Sequence, residues 1–264
     1  LCDKNICVYT SPYVFWELLC HLDERDFHRE KGTMMKFRYV KILEEPEAEL
    51  LIQASPTKQL KDYVSANDVI LATLGALQAS DSLTAFYASY IVDSNGKTRD
   101  ISNSAERMRK ILDEREKQYT SFIGSIIEAF QSGKVELKTN KDYHKAILSL
   151  LNGRVMHMVD DGASDDGLLE RMVDLTYIYY SYVFHNAFDH FQSGKTNINP
   201  NDYEDGCMCL HLPLKTPNIF VTDDQNFRRL LTDVLSFIKD LDDAYFESQL
   251  QVNDTKYLAN LAAS

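Results

Sequence analysis

Hydrophobic positions recur along most of this chain at the 3.6-residue spacing of an amphipathic helix, and only near its two ends do they read as strands. "NICVYTSPYVFWELL" (5–19) opens with the alternating Ile6 and Val8 and then meets Ser11-Pro12, an N-cap residue followed by a first helical position. The pattern predicts a helix from Pro12 to about Arg29. "GTMMKFRYVKILEEP" (32–46) continues as helix and stops before Pro46, and "ELLIQASP" (49–56) reads as a strand or a connection. From about Thr57 to Gln192 nearly everything is predicted helical. The segments are "KQLKDYVSANDVILATLGALQAS", "SAERMRKILDEREKQYTSFIGSIIEAFQS" with Gly133 as its stop, "NKDYHKAILSLLNGRVMHMV", and a long aromatic-rich helix ending at Gly194. A polar loop, a short helix at "NDYEDGCMCLHL" (201–212), a strand at "NIFVT" (218–222) and a helix near "QNFRRLLTDVLSFIKD" (225–240) complete the chain before a weakly patterned tail.

Strand signals at both ends with more than a hundred helical residues between them predict an α/β fold. Its core, residues 1–56 and 197–240, is assembled from both ends of the chain. A mostly helical insertion occupies 57–196 and a tail 241–264. One local echo, "FQSGKVELKTNKDY" (130–143) against "FQSGKTNINPNDY" (191–203), dies outside the loop. It reads as two helix-stop, loop, helix-start transitions using the same chemistry rather than as a duplicated module.

The composition, 44% hydrophobic and 26% charged with 15 Tyr and 13 Phe, is that of a folded chain with ample core material. The net charge of −12 counts against a general nucleic-acid coat protein, but not against an enzyme that gathers a cation into an acidic cleft. Five scattered cysteines form no disulfide framework, so a reducing, cytoplasmic setting with buried thiols is expected. No apolar run of about 20 residues predicts a membrane span. The chain begins with Leu1 directly before a strand-like run, as a truncated or processed product would.

Several familiar motifs fail. "SGKT" (193–196) resembles the end of a phosphate-binding loop, but the position of its first glycine is Asp189 and a helix, not a strand, precedes it. His185 and His190 are five apart, not three or four, and His144, His157 and His211 stand alone, so each reads as a core or surface histidine. No nucleophile elbow and no recognisably reactive cysteine is present.

The acidic residues carry the remaining signal. Glu17 sits among Val14, Phe15, Trp16, Leu18 and Leu19, where a carboxylate without a partner is costly. Asp205, with Asp202 three residues earlier, opens a helix and precedes the small apolar run Gly206-Cys207-Met208-Cys209. Asp223 and Asp224 follow the strand "NIFVT", at the strand end where open α/β sheets bind ligands. Each acid alone has a plain reading as a helix former or helix cap. Gathered together they would repel without a cation, and hard oxygen ligands of this kind suit Mg2+ or Mn2+.

The order of strand, "SPYVFWELL" helix, late helix opening with Asp, and strand followed by "TDDQNF" resembles a PIN-like nuclease domain. Thr222 to Phe227 fits the family's T-x-D-x-x-F, Asp205 lies 19 residues before Asp224, and Glu17 matches the early-helix acid. The match covers about 6–45 and 199–235. The resemblance implies a PIN-like parallel sheet core and metal-dependent phosphodiester hydrolysis, with RNA a more natural substrate than DNA. It makes Glu17, Asp205 and Asp224 the catalytic ligands of Mg2+ or Mn2+, Asp202 and Asp223 neighbouring or alternative ligands, and Thr222 a residue that orients a water or carboxylate. Within this frame Asp224 is the ligand and Asp223 the cap or neighbour. Lys36 and Arg38, in "REKGTMMKFRYVK" (29–41), are candidate substrate contacts, and "RMRK" (107–110) is a second basic stretch. The family's first aspartate has no counterpart, because no strand precedes Asp3-Lys4-Asn5; this places the first strand upstream of Leu1. A rival expectation is a catalytically inactive scaffold that binds a protein through its helical insertion. Another is a purely helical interaction protein in which "TDDQNF" is only a cap.

Overall fold

The structure, a computed structural model, describes residues 8–44, 65–133, 139–160, 167–195, 200–241 and 248–257, together with 198, 246 and 260. "ELLIQASP" and the Asp3-Lys4-Asn5 corner lie outside the described residues. The chain divides into two compact units, residues 1–44 with 57–115 and residues 45–56 with 116–264.

In the first unit, strand β1 (Tyr9–Thr10) leads to helix α1 (Pro12–Cys20), with Ser11 as its N-cap and Pro12 in the first turn. The helix stops at Cys20, short of the predicted end. Asp23 diverts the backbone: its carboxylate accepts from Arg25 N–H at 2.8 Å, and its own N–H donates to Glu30 at 2.9 Å. Such side-chain bonds compete with helical ones. Helix α2 (Phe27–Met34) then follows, with a 3-10 turn (Met35–Tyr39) and β2 (Lys41–Ile42), which pairs in parallel with β1. Helix α3 (Ala66–Ala79) is capped by Ser65 and followed by the short α4 (Leu83–Tyr87). Phe15, Phe27, Met34, Ile70, Leu74, Leu77 and Phe86 form the buried core.

The predicted unbroken helical stretch is interrupted by an antiparallel hairpin, β3 (Tyr90–Val92) and β4 (Thr98–Asp100). Its turn carries Asn95-Gly96 with Gly96 at φ +75°, the left-handed conformation glycine adopts without strain. Asp93, whose side chain is fully enclosed, ties the turn together, accepting from Asn95 N–H, Lys97 N–H and Arg99 Nε at 3.0, 2.9 and 2.7 Å.

Helix α5 (Ile101–Gln131) gives its first half to this unit and its second half to the other. In the second unit α6 (Asn140–Asp160), α7 (Leu168–Ser193), α8 (Pro200–Cys209) and α9 (Gln225–Lys239) pack into one aromatic-rich core. Helix α7 is the hub: Met172, Tyr177, Ile178, Tyr182, Val183, Ala187 and His190 are buried on it, and a helix apolar on so much of its circumference belongs inside. Both echoed "FQSG" segments end helices at a left-handed glycine, Gly133 and Gly194, each at φ +65°. Strand β5 (Asn218–Val221) pairs in parallel with β6 (Leu250–Asn253), and α9 lies between them in sequence.

The expected PIN-like parallel sheet core is not what forms. Among the described residues there are three separate two-stranded sheets, and the architecture is mostly helical. The strand signals at the two ends belong to different units: β1 bonds to β2 in the first and β5 to β6 in the second. With so few backbone pairs per sheet, burial of helix faces supplies the cores.

Candidate functional site

Three of the predicted acidic residues in the second unit come from two helices. Asp202 and Asp205 are one helical turn apart on α8, so they share a face, and Asp224 begins α9. The helix carrying Asp205 fits closely against α5: a Cβ on Gly206 would stand 3.0 Å from the Tyr119 ring, so glycine permits the approach. Cys207 and Cys209 are buried behind it, as the small apolar run foreshadowed.

Asp205 is the electrostatic centre. Its carboxyl is pushed up to about 7, first by loss of water around it, then by the negative charges of Asp224 and Asp202. Tyr182, buried on α7, donates its hydroxyl to Asp205 at 3.5 Å and partly offsets this. The Tyr182 hydroxyl is itself raised, by burial first. Asp202 reaches the other way: one of its oxygens lies 3.0 Å from His190 Nε2 on α7, with both side chains nearly enclosed.

Of the two aspartates after "NIFVT", it is Asp224 and not Asp223 that caps the following helix. Asp224 is the N-cap of α9, its carboxylate accepting from Phe227 N–H at 2.9 Å. That leaves its other oxygen free of the capping bond. Asp223 instead holds the tail, accepting from the Thr255 N–H and hydroxyl at 3.1 and 2.7 Å. The Thr255 hydroxyl bond, and then its N–H, hold the Asp223 carboxyl below its usual range. Thr222 extends the β5–β6 pairing through its N–H to Asn253 and accepts from the Asp224 N–H at 3.1 Å.

Glu17 lies half-buried on α1 in the first unit, whereas Asp202, Asp205, Asp223 and Asp224 lie in the second. Lys36 and Arg38 are exposed on the 3-10 turn of the first unit. In the second basic stretch, Arg109 bonds the Cys20 carbonyl and Lys110 pairs with Glu106. Charge is divided unequally. The first unit has 15 Lys and Arg against 15 Asp and Glu, the second 13 against 25, so the net charge of −12 belongs to the second unit, which also carries Asp205.

Beside Asp202 opens a cleft of about 290 Å³, lined among others by Asn186, His190, Lys195, Asn226 and Arg229. Sequence reasoning passed over Tyr182 and Arg229, read His190 as a core or surface histidine, and met Lys195 only within the rejected "SGKT" motif. His190 meets Asp202 across a helix end, a loop and a helix start, a pairing that no local spacing encodes.

Chemically, the Asp202–Asp205–Asp224 group concentrates negative charge and holds a proton that leaves near neutrality. Among the described residues, no three His, Cys, Asp or Glu side chains stand close enough together to hold a metal ion. No described helix is long and apolar enough to cross a membrane. No protein-family model, curated protein or solved structure matches the chain.

Proposed function

We propose that the second unit is a metal-dependent phosphodiester hydrolase acting on nucleic acid, RNA in preference to DNA, with Asp202, Asp205 and Asp224 as its acidic centre. The observation that carries this reading is the Asp205 carboxyl, raised to about 7 by burial and by Asp224 and Asp202. Carboxylates so placed are costly to charge by themselves and gain most from a divalent cation; hard Mg2+ or Mn2+ matches their oxygen donors. When bound, the ion supplies a water of lowered pKa and neutralises charge on the phosphoryl oxygens. The protein's own part is to exclude water around Asp205, to hold Asp224 in place through the α9 cap, and to fix Asp202 through His190.

The test is Mn2+-dependent cleavage of RNA and single-stranded DNA by the full chain, beside Asp205→Asn and Asp224→Asn. Asn is as good an N-cap as Asp, so Asp224→Asn removes charge while keeping α9 capped. The expected result is cleavage that needs Mn2+ and falls at least about 100-fold in either variant, as loss of one transition-state electrostatic contact does. Equal activity in all three proteins refutes the proposal. No activity in the wild-type protein, with both variants folded, favours the inactive scaffold, a reading supported by the lack of three gathered ligands among the described residues.

A further inference from the structure

We propose that the outer face of β1, β2 and the 3-10 turn binds single-stranded nucleic acid, with Tyr39 and Tyr9 as stacking surfaces and Lys36, Arg38 and Lys41 as phosphate contacts. The choice of RNA as the strand rests on the hydrolase reading above. The surface itself lies wholly within the first unit.

Local backbone geometry builds this face. In the 3-10 turn Phe37 is buried, and residues three apart eclipse, so Lys36 and Tyr39 stand on one side with Arg38 exposed beside them. Val40 is extended, at φ −120° and ψ 153°, and packs against the core. Tyr39 and Lys41, on either side of it, therefore project outward together, while Ile42 returns to the core. Parallel pairing sets Tyr9 opposite Lys41, and the Lys41 ammonium lies 5.7 Å from the centre of the Tyr9 ring. Cation and ring thus alternate across the face.

Two observations identify the partner. Tyr39 is 82% exposed, more than any other large hydrophobic side chain among the described residues, and Tyr9 is 46% exposed. A ring left in water adds no burial to the fold and gains it only from a partner. Every nucleobase offers a flat face for such a ring, whatever the sequence. The second observation is charge. Residues 31–43 hold four cations and no Asp or Glu, in a chain of net charge −12. Lys31 is engaged by the Gln78 and Ser80 carbonyls. Among the described residues, Lys36, Arg38 and Lys41 have no carboxylate partner. These cations complement a phosphate backbone. An acidic peptide would satisfy the cations alone, and a duplex keeps its bases stacked inside, so a single strand is the partner that uses both features.

The experiment follows the fluorescence anisotropy of a short fluorescein-labelled oligouridylate titrated with the full chain, in EDTA so that Mn2+-dependent cleavage is absent. Binding is expected to weaken about fivefold or more in Tyr39→Ala and to persist in Tyr39→Phe, which keeps the ring. Affinity should fall with salt at a logarithmic slope of about −2, from three phosphate contacts, and Lys36→Glu with Arg38→Glu should flatten it to about −0.7. All these side chains are exposed, and circular dichroism checks that each variant is folded. An RNA duplex of the same length is expected to bind more weakly. Absence of binding by the wild type, or binding unchanged in Tyr39→Ala, overturns the proposal. Tighter binding of a polyglutamate peptide or of phosphatidylserine vesicles overturns the assignment of the partner. Tyr39-dependent binding without any Mn2+-dependent cleavage sinks the hydrolase reading and leaves this surface. Cleavage beside binding that is indifferent to Tyr39, Lys36 and Arg38 does the reverse.

Discussion

Replacing Asp205 by Asn is expected to make this protein more stable while disabling the site. The carboxyl titrates at about 7 in the folded chain against an ordinary 3.8. Below 3.8 both folded and unfolded states hold the proton, and the group does not affect stability. Between 3.8 and about 7 the unfolded chain releases its proton while the folded chain keeps it, so stability falls as pH rises. Above 7 both are ionised and the penalty is complete. At ~1.36 kcal/mol per tenfold change in proton affinity, the gap corresponds to at most ~4 kcal/mol. Asp205 is only half-buried, so solvent screening reduces this to about 1–2 kcal/mol. Asn keeps an oxygen to accept from the Tyr182 hydroxyl and carries no charge to repel Asp224 and Asp202. Urea denaturation of Asp205→Asn and wild type at pH 8 and at pH 4 measures the effect. The variant is expected to gain about 1–2 kcal/mol at pH 8, equivalent to roughly 2–8 °C in midpoint, and almost nothing at pH 4. A variant destabilised at pH 8, or stabilised equally at both pH values, would refute the claim that Asp205 is held in a hostile electrostatic environment.

Two further perturbations probe the same unit. Tyr182→Phe removes the hydroxyl that lowers the Asp205 carboxyl, so an NMR titration should find that carboxyl higher than in the wild type; an unchanged midpoint contradicts the contact. Gly194→Ala forces a Cβ into the left-handed region, and thermal denaturation should show a loss of about 1 kcal/mol, with none expected if α7 does not end at a left-handed glycine.

The local elements were legible in the sequence where the signal was local. Ser11-Pro12 opens α1, and Gly133 and Gly194 end their helices. The 3.6-residue spacing marks α3, α5, α6, α7 and α9, because capping, left-handed glycine and amphipathic periodicity are properties of adjacent residues. The β3–β4 hairpin was missed although Asn95-Gly96 signalled it, since helical spacing on both sides masked three-residue strands. Among the candidate site residues, the acidic positions on α8 and at the start of α9 were visible as types in suggestive places. The sequence did not distinguish Asp224 as the cap from Asp223 as the clasp on Thr255, because that choice depends on where residue 255 returns.

Left to itself, then, the sequence determined the long helices of the second unit, the glycine stops at Gly133 and Gly194, and the small apolar face behind Asp205. Tertiary structure alone decided that the terminal strands take separate partners rather than one sheet, that Asp205 loses its water beside Asp202 and Asp224, and that His190 meets Asp202. The reason is physical: strand pairing, desolvation and charge–charge repulsion depend on groups distant in sequence, and only the folded packing sets their separation.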